Sequence, residues 1–240
     1  KDKWSYTSSY INDNIRLTSV VNGKEIKDFD KYTHLKLPRI GFVKCVVDRP
    51  IPDGYRILSA TVTKTRTNKY FVSIRVEYSA EIPVLDLDIE KSVGLDYSQT
   101  DFYVDSQGMK SGYPRFFKQS ESKLSHAQRA LSRTKKGSKN HEKARLKMAR
   151  AYEKLSNQRK DWRRKKVHEI VNNPDIHYVF IEDISIQNIS FKTNAIKIHN
   201  GKAKRAHYGK SAYDNSWYSF ISSLSSEILS TCLSGNKSII

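Results

Sequence analysis

The sequence has few cysteines and no long apolar run. Cys45 and Cys232 are the only cysteines among its 240 residues, and neither belongs to a CxxC pair or a Cys/His cluster. Neither a disulfide framework nor a structural zinc site is therefore supported, and a reducing compartment fits best. No stretch reaches the roughly 18 uninterrupted apolar residues that a membrane-spanning helix needs, and the first ten residues contain no apolar signal core. We expect a soluble, cytoplasmic protein with no membrane partner.

Acidic residues are scarce in one segment, which holds most of the net charge of +18. Residues 115–166 contain 19 Lys or Arg and 4 Asp or Glu, whereas residues 1–90 contain 15 and 12. Such a block suits a polyanion, because each cation that neutralises a phosphate releases a condensed counterion. Nucleic acid is the leading candidate partner. An anionic membrane is a distant second, because no amphipathic aromatic face accompanies the charge.

The first third of the chain has the pattern of β-strands. In residues 57–78, two strand-like runs flank the turn-prone "RTNK", and apolar residues recur at every second position from Tyr70 to Tyr78. This pattern predicts a hairpin. With the further apolar run "LKLPRIGFVKCVV", several short strands suggest a small barrel or sandwich. The composition changes in "AEIPVLDLDIEK", which we take as the boundary between two domains, residues 1–88 and 89–240.

The remaining two thirds have the pattern of a mixed α/β domain. Residues 91–105 have the pattern of a second hairpin, after which the apolar period becomes helical on both sides of the break "TKKGSKN". We therefore expect an antiparallel pair of helices, the second one long. The run "YVFI" predicts a buried strand, residues 201–214 a loop, and residues 212–230 a helix with one apolar face.

Two acidic residues follow short apolar strands. Asp96 follows "SVGL" and Glu182 follows "YVFI", with the basic helices between them in the sequence. If the two strands are neighbours in one sheet, the carboxylates converge in a dry site. Hard oxygen ligands bind Mg²⁺ or Mn²⁺, and a metal pair can activate water at a phosphodiester, so the pattern predicts a metal-dependent nuclease. An isolated acid after a strand is more often a turn or cap residue, and that alternative stays open for both.

Glycine-rich clusters are absent as well, which bears on a rival enzyme class. The stretch "VGLDYSQT" is similar to the first phosphate hairpin of the actin and sugar-kinase nucleotide-binding fold. That fold needs a second glycine-rich phosphate loop, whereas the glycines at positions 137, 201, 209 and 235 stand singly. An actin-like ATPase is therefore the third hypothesis.

Several motifs resemble one known family in their order and spacing. They are "VGLDYSQTDFYVDSQG", the basic stretch that begins "PRFFKQSESKLSHAQRALSR", "YVFIEDISI" and "YGKSAYDNSWYSF". Together they resemble the TnpB-like transposon-encoded proteins, which include the OrfB transposases of insertion sequences and the compact type V CRISPR effectors. The resemblance runs from about residue 36 to about residue 224.

The resemblance implies an all-β domain followed by an α/β domain. The first, residues 1–88, is expected to be an oligonucleotide-binding-like β-barrel, the wedge. The second, residues 89–240, is expected to be an RNase H-like nuclease domain of the RuvC type with a long helical-hairpin insert. In that family a guide RNA selects target DNA by base pairing, and the protein cuts the DNA with Mg²⁺. The implied partners are guide RNA and target DNA, at the nucleoid.

The resemblance also implies functional residues. Asp96 matches the first catalytic aspartate and Glu182 the catalytic glutamate, and both are the expected ligands of Mg²⁺ or Mn²⁺. The basic helices match the insert that packs along the nucleic acid. The candidate nucleic-acid contacts are Lys135, Lys136, Lys139, Lys143, Arg145, Lys147, Arg150, Arg159, Lys160, Arg163, Arg164 and Lys165.

The chain departs from the family pattern at both ends. The family usually continues with a zinc ribbon of two CxxC pairs and a third catalytic aspartate, and it usually starts with recognition helices. The 240 residues contain no CxxC pair, and Asp214 does not match the third aspartate. We therefore expect a truncated product that binds structured RNA but cuts DNA poorly or not at all. The alternative is a non-catalytic RNA- or DNA-binding regulator derived from the same family.

Overall fold

The protein divides into two compact units, Lys1–Ala80 and Glu81–Ile240. The structure is a computed structural model, and it describes residues 4–26, 32–47, 50–79, 88–182, 196–199, 202–205 and 216–233. The sequence predicts a domain boundary at residues 80–91, of which residues 80–87 lie outside the described part, as do Asp214 and most of the predicted loop at 201–214. Within the described ranges, no helix has the length and apolar character needed to cross a membrane.

The first unit is built from two antiparallel sheets. One sheet has the strand order β1-β6-β7 and the other the order β3-β2-β4-β5. The strands are β1 (Trp4–Ser9), β2 (Arg16–Val21), β3 (Lys24–Ile26), β4 (His34–Leu37), β5 (Gly41–Lys44), β6 (Arg56–Lys64) and β7 (Tyr70–Glu77). The predicted hairpin is confirmed, since β6 and β7 pair in antiparallel register from Arg56 opposite Glu77 to Lys64 opposite Tyr70.

Alternating side chains form the core of the first unit. Ile15, Leu35, Leu37, Ala60 and Val62 are buried together, and they come from both sheets and from the loop before β2. Successive side chains of a strand point to opposite faces, so one face of each sheet supplies the core. On the other face of the hairpin, the β7 residues Ser73, Arg75 and Glu77 are polar and exposed, and Phe71 is an exposed aromatic residue.

In its described residues, the second unit combines one sheet with three α-helices and a separate pair of strands. The strands of the sheet are β8 (Ser92–Ser98), β9 (Phe102–Asp105) and β10 (Tyr178–Ile181), in the order β10-β8-β9. The helices are α1 (Phe116–Ser132), α2 (Lys139–Val171) and α3 (Trp217–Leu233). The strands β11 (Ile196–His199) and β12 (Lys202–Arg205) pair with each other in antiparallel register. The predicted loop at 201–214 is therefore wrong at 202–205, where pairing with β11 overrides the loop-like composition.

Aromatic rings dominate the core of the second unit. Phe102, Trp217 and Phe220 are at most 1% exposed, and the ring of Phe102 lies 5.3 Å from Trp217 and 5.1 Å from Phe220. Tyr103 stacks on Phe220 at 5.7 Å. Burial, followed by the charges of nearby carboxylates, raises the pKa of Tyr103 to about 12. The predicted apolar face of α3 therefore covers one side of the sheet.

The two basic helices form the predicted hairpin. Helix α1 packs against α2, and a six-residue connection joins them. In this connection Gly137 has a φ of +83°, a conformation that favours glycine. Ser138 then caps α2, since its hydroxyl accepts a hydrogen bond from the backbone N–H of His141 at 3.1 Å. The connection that contains Gly137 and Ser138 therefore separates the end of α1 at Ser132 from the start of α2 at Lys139.

Candidate nucleic-acid and metal site

The two candidate carboxylates lie on neighbouring strands. Asp96 lies in β8, which is the middle strand of its sheet, and Glu182 directly follows the last residue of β10. The strands β8 and β10 are parallel, and Ile181 is paired with Leu95. Continuing this register by one residue sets Glu182 opposite Asp96, and neighbouring strands are about 5 Å apart. The two acids therefore lie side by side.

Both carboxylates lie on the face of the sheet away from the aromatic core. Val93 and Leu95 are buried in that core, so the alternating positions Gly94 and Asp96 lie on the opposite face. The same face carries Phe180, which is paired with Gly94 and is 52% exposed. Residues paired in a parallel register point to the same side, so the carboxylates of Asp96 and Glu182 share one open surface.

The expectation of a dry site is wrong. Asp96 and Glu182 are both exposed to solvent, because their face of the sheet is not covered by the described helices. Asp96 therefore does not carry the several kcal/mol that an unpaired buried carboxylate costs. The sequence pattern predicted the two strands that carry these acids but could not show which face of their sheet is covered.

The two carboxylates fit a magnesium ion in their chemistry. Mg²⁺ keeps several waters and usually takes one or two protein carboxylates together with phosphate oxygens of a substrate. Across the described part of the chain, no group of three or more His, Cys, Asp or Glu side chains comes together. Asp96 and Glu182 could thus supply two ligands from one face, and water or phosphate would complete the coordination.

A stripe of cations follows one face of α2. Lys139, Lys143, Lys147, Arg150 and Lys154 are all exposed and are spaced 4, 4, 3 and 4 residues apart. Side chains three or four residues apart are neighbours on a helix surface, so these five form a continuous row about 22 Å long. At 100° per residue, Arg164 and Lys165 fall on the same face. We call these seven residues the cationic stripe.

The stripe includes one residue that the sequence-based list misses. Lys154 is exposed and lies four residues after Arg150 on the same face. The predicted contacts were chosen for the basic charge of the segment, and Lys154 was not among them. Its spacing was the signal that could have identified it. Asp161 lies on this face as well and pairs with Lys165 at 2.9 Å, with both side chains largely exposed.

Three of the predicted nucleic-acid contacts are less accessible than expected. Arg145 is partly buried and forms two hydrogen bonds to the carboxylate of Glu142, at 2.8 and 2.6 Å. Arg159 is partly buried and its guanidinium lies 5.9 Å from the ring centre of Phe117. Arg163 is also partly buried. These guanidiniums face the helix-packing side of α2, where the stem of an arginine covers apolar surface.

The remaining predicted contacts are exposed. Lys135 and Lys136 lie in the connection between α1 and α2, and Lys160 lies on α2 at the edge of the cationic stripe. The structure thus sorts the predicted set into an exposed group and a partly buried one. The register of β10 with β8, continued by one residue, sets Glu182 opposite Asp96.

The described part of the chain therefore has the features of a cationic α/β protein with a carboxylate pair on an open sheet face. Comparison with known proteins found one family model and curated relatives. The model of the OrfB family of IS605-type elements, described as "Probable transposase", matches residues 73–191. That range contains Asp96, Glu182 and the whole of both basic helices.

Two curated proteins are similar to the chain. A "Putative RNA-guided DNA endonuclease" of Streptomyces pristinaespiralis is 31% identical over 159 residues, which are 66% of this chain and 36% of that protein. The "Putative RNA-guided DNA endonuclease InsQ" of Escherichia coli (strain K12) is 27% identical over 184 residues, which are 76% of this chain and 44% of that protein. These matches show that the chain is similar to the TnpB-like family. It spans less than half the length of the curated relatives it matches.

Proposed function

We propose that this chain carries the nucleic-acid-binding and carboxylate-bearing part of an RNA-guided DNA endonuclease of the TnpB type. In this proposal the second unit is an RNase H-like nuclease domain of the RuvC class. The sheet supports it, because its middle strand β8 is antiparallel to β9 and parallel to β10. The first unit is the oligonucleotide-binding-like wedge, supported by its two antiparallel sheets around one core.

The pairing of β8 with β10 carries the proposal. These strands are separated by more than 70 residues of sequence that include both basic helices, yet their register sets Asp96 beside Glu182. A pair that served only as turn or cap residues would need no such alignment. The position of both acids on an open face also lets an extended polyanion approach them.

Each group of residues has a separate part in the proposed reaction. The carboxylate oxygens of Asp96 and Glu182 would hold Mg²⁺ or Mn²⁺, which when bound would supply Lewis-acid activation of a phosphodiester and of a water. The cationic stripe neutralises backbone phosphates of RNA or DNA and orients the strand. The printed names of the relatives, RNA-guided DNA endonucleases, support guide RNA and target DNA as the partners.

We further propose that these 240 residues by themselves cleave DNA weakly. Two carboxylates anchor a metal less firmly than three, because each additional anionic oxygen lowers the free energy of the bound ion. Added guide RNA and target DNA should then be bound without rapid Mg²⁺-dependent cleavage. Robust cleavage that disappears in Asp96→Ala would contradict this weak activity while supporting the enzyme class.

Metal binding tests the site directly. Binding of Mn²⁺ can be followed by electron paramagnetic resonance for the unaltered protein, Asp96→Asn and Glu182→Gln. We expect each substitution to weaken binding by about tenfold or more, because it removes one of two anionic ligands. Asp175→Asn is the matched control, since Asp175 is exposed just before β10, at the opposite end of the strand from Glu182. Equal losses in all three variants would mean that only net charge matters.

A non-catalytic regulator of the same family is the second candidate. It is favoured by one observation, that the described residues bring only two metal-binding side chains together at this sheet. Such a regulator would bind RNA with the same affinity in Asp96→Asn as in the unaltered protein, and Mg²⁺ would produce no cleavage under any condition. Cleavage that depends on Asp96 would exclude it.

A further inference from the structure

One row of side chains in the first unit has a composition unlike its surroundings. In the sheet β1-β6-β7, Trp4 pairs with Lys64 and Lys64 pairs with Tyr70. Residues directly opposite one another in antiparallel strands point to the same face, so the three side chains form one row across the sheet. We call this row the aromatic platform.

The platform extends the core face of its sheet beyond the core. The next row on the same face, Tyr6, Val62 and Val72, packs into the apolar cluster of the unit. The platform lies one row further out. Here Trp4 is 51% exposed and Tyr70 is 59% exposed. Two large rings side by side at an open sheet end differ from the scattered exposed apolar residues that are normal on protein surfaces.

The rings and the lysine are organised against one another. The ring centres of Trp4 and Tyr70 are 6.3 Å apart, with an angle of 81° between their planes. Lys64 places its Nζ atom 5.6 Å from the ring centre of Tyr70. Each ring thereby restricts the other while retaining about half of its surface in solvent, so the platform is partly ordered before any ligand arrives.

The hairpin connection beside the platform is cationic. The hairpin connection from Lys64 to Lys69 contains three cations and no acidic residue. Glu77 forms an ion pair with Arg56 at the other end of the same hairpin. That pair lies seven register positions away from Lys64 and Tyr70. Exposed aromatic rings combined with local positive charge match single-stranded nucleic acid, whose bases stack and whose phosphates are anionic.

We propose that Trp4, Lys64 and Tyr70 bind an unpaired nucleobase of a single-stranded nucleic acid. A base stacks on the exposed aromatic surface, while Lys64 and the basic hairpin connection attract the adjoining phosphates. A base within a duplex has its faces covered by its neighbours, so the platform selects unpaired segments. The site lies in the first unit and is separate from the carboxylates and from the cationic stripe. The proposed platform rests on the proposed function only for the class of its partner, which is nucleic acid.

Oligonucleotide binding by single-site variants tests this site. The 240-residue protein, Trp4→Ala and Tyr70→Ala would be titrated against a fluorescent single-stranded RNA, a single-stranded DNA of the same sequence and the corresponding duplex. Fluorescence anisotropy gives the Kd for each. Loss of one stacking ring should raise the single-strand Kd by about fivefold to a hundredfold and leave the duplex Kd unchanged. Comparison of the RNA and DNA arms shows which strand the platform prefers.

Phe71 supplies a matched control on the same strand. It is 55% exposed and follows Tyr70 directly, but its side chain points to the other face of the sheet. Phe71→Ala should therefore leave the single-strand Kd unchanged, and Trp4→Phe should retain most of the binding. Circular dichroism of each variant checks that the fold is kept.

Two outcomes would overturn the proposed platform. One is an equal weakening by Phe71→Ala, which would make exposed apolar area in general responsible. The other is an equal loss of single-strand and duplex affinity, which would assign the row to general phosphate attraction. Neither readout depends on DNA cleavage or on metal binding, so failure of the platform and failure of the proposed nuclease function can be distinguished.

Discussion

An ion-pair group centred on Arg16 shows what single residues contribute to the first unit. Arg16 lies between Glu25, whose carboxylate accepts hydrogen bonds at 2.7 and 2.6 Å, and Asp13, whose carboxylate accepts one at 2.7 Å and whose backbone carbonyl accepts one at 2.9 Å. The hydrogen bond to Arg16 is the main cause that holds the pKa of Glu25 at about 2, well below the usual 4.5. This pairing ties β2 to β3 and to the turn before β2.

The acid stability of the first unit should depend on Glu25. A carboxyl whose pKa is lowered by folding stabilises the folded state above its unfolded pKa, here 4.5, and loses that effect as the pH falls towards 2. We expect Glu25→Gln to lower the urea midpoint of unfolding near neutral pH and to have little effect near pH 2. Both midpoints can be measured by circular dichroism.

Glu77 provides the control for this pH dependence. It pairs with Arg56 at 2.8 Å, but both side chains are more than half exposed, at 70% for Arg56 and 57% for Glu77. Exposed ion pairs contribute little to stability, so Glu77→Gln should leave the midpoint almost unchanged at either pH. An equal effect of the two substitutions would contradict the assignment of the stabilisation to the Arg16 group.

Single acidic residues also show how far sequence reasoning extends. Asp96 and Glu182 could be selected because each follows a short apolar run, although β8 continues two residues beyond Asp96 to Ser98. The exposure of these two acids could not be predicted, because it depends on which face of the sheet the helices cover. The partial burial of Arg159 and Arg163 was missed for the same reason, since a list of cations carries no information on helix packing.

At the scale of elements, α2 combines two functions on opposite sides. One side carries Ala149, Leu155 and Val167, which are buried, and the other carries the cationic stripe. The helical period separates the two sets, so the same helix is held in the unit and presents positive charge to solvent. An extended row of about 39 Å from Lys139 to Lys165 is long enough to contact several successive phosphates.

The salt dependence of RNA binding should identify the stripe. Replacing Lys147 or Arg150 by Gln should reduce the slope of log K against log salt by about 0.7 to 0.9 for each phosphate contact that is lost. Arg145→Gln removes the same charge from the same helix, but Arg145 is partly buried and paired with Glu142, so its slope should stay close to that of the unaltered protein. Filter binding over a range of salt concentrations gives all three slopes.

Equal slopes for all three variants would mean that total charge, rather than the stripe, determines binding.

The helices themselves were predictable, because their apolar period and the Gly137–Ser138 break are local signals. The strand β12 was not, because a basic, glycine-bounded stretch has a loop-like composition and its pairing partner β11 lies outside that stretch.

At the scale of the whole molecule, each unit contains its own apolar cluster. Leu35 and Val62 belong to the cluster of the first unit, and Phe102 and Phe220 belong to that of the second. The two clusters have no residue in common among the described positions. Each unit therefore has its own source of hydrophobic stabilisation.

Removal of one core ring should destabilise one unit selectively. Phe220 is fully buried and contacts Phe102, Tyr103 and Trp217, so Phe220→Ala should cost about 3 to 5 kcal/mol. Hydrogen exchange should speed up in β8, β9 and α3 and remain unchanged in β4 and β6. Tyr218→Ala on the same helix should have little effect, because Tyr218 is 79% exposed. Faster exchange in both units of Phe220→Ala would contradict independent cores.

The sequence by itself determined the β6–β7 hairpin and the two basic helices, where the positive charge is concentrated and which acids follow the apolar runs. These properties are local, because periodicity, turn residues and caps lie within a few positions of one another. Only the tertiary structure decided that β10 pairs beside β8 in the register that aligns Asp96 with Glu182, that their face is open, and that Trp4, Lys64 and Tyr70 meet. Strand pairing joins residues that are distant in the chain, and packing decides which face remains in water, so neither can be obtained from local pattern alone.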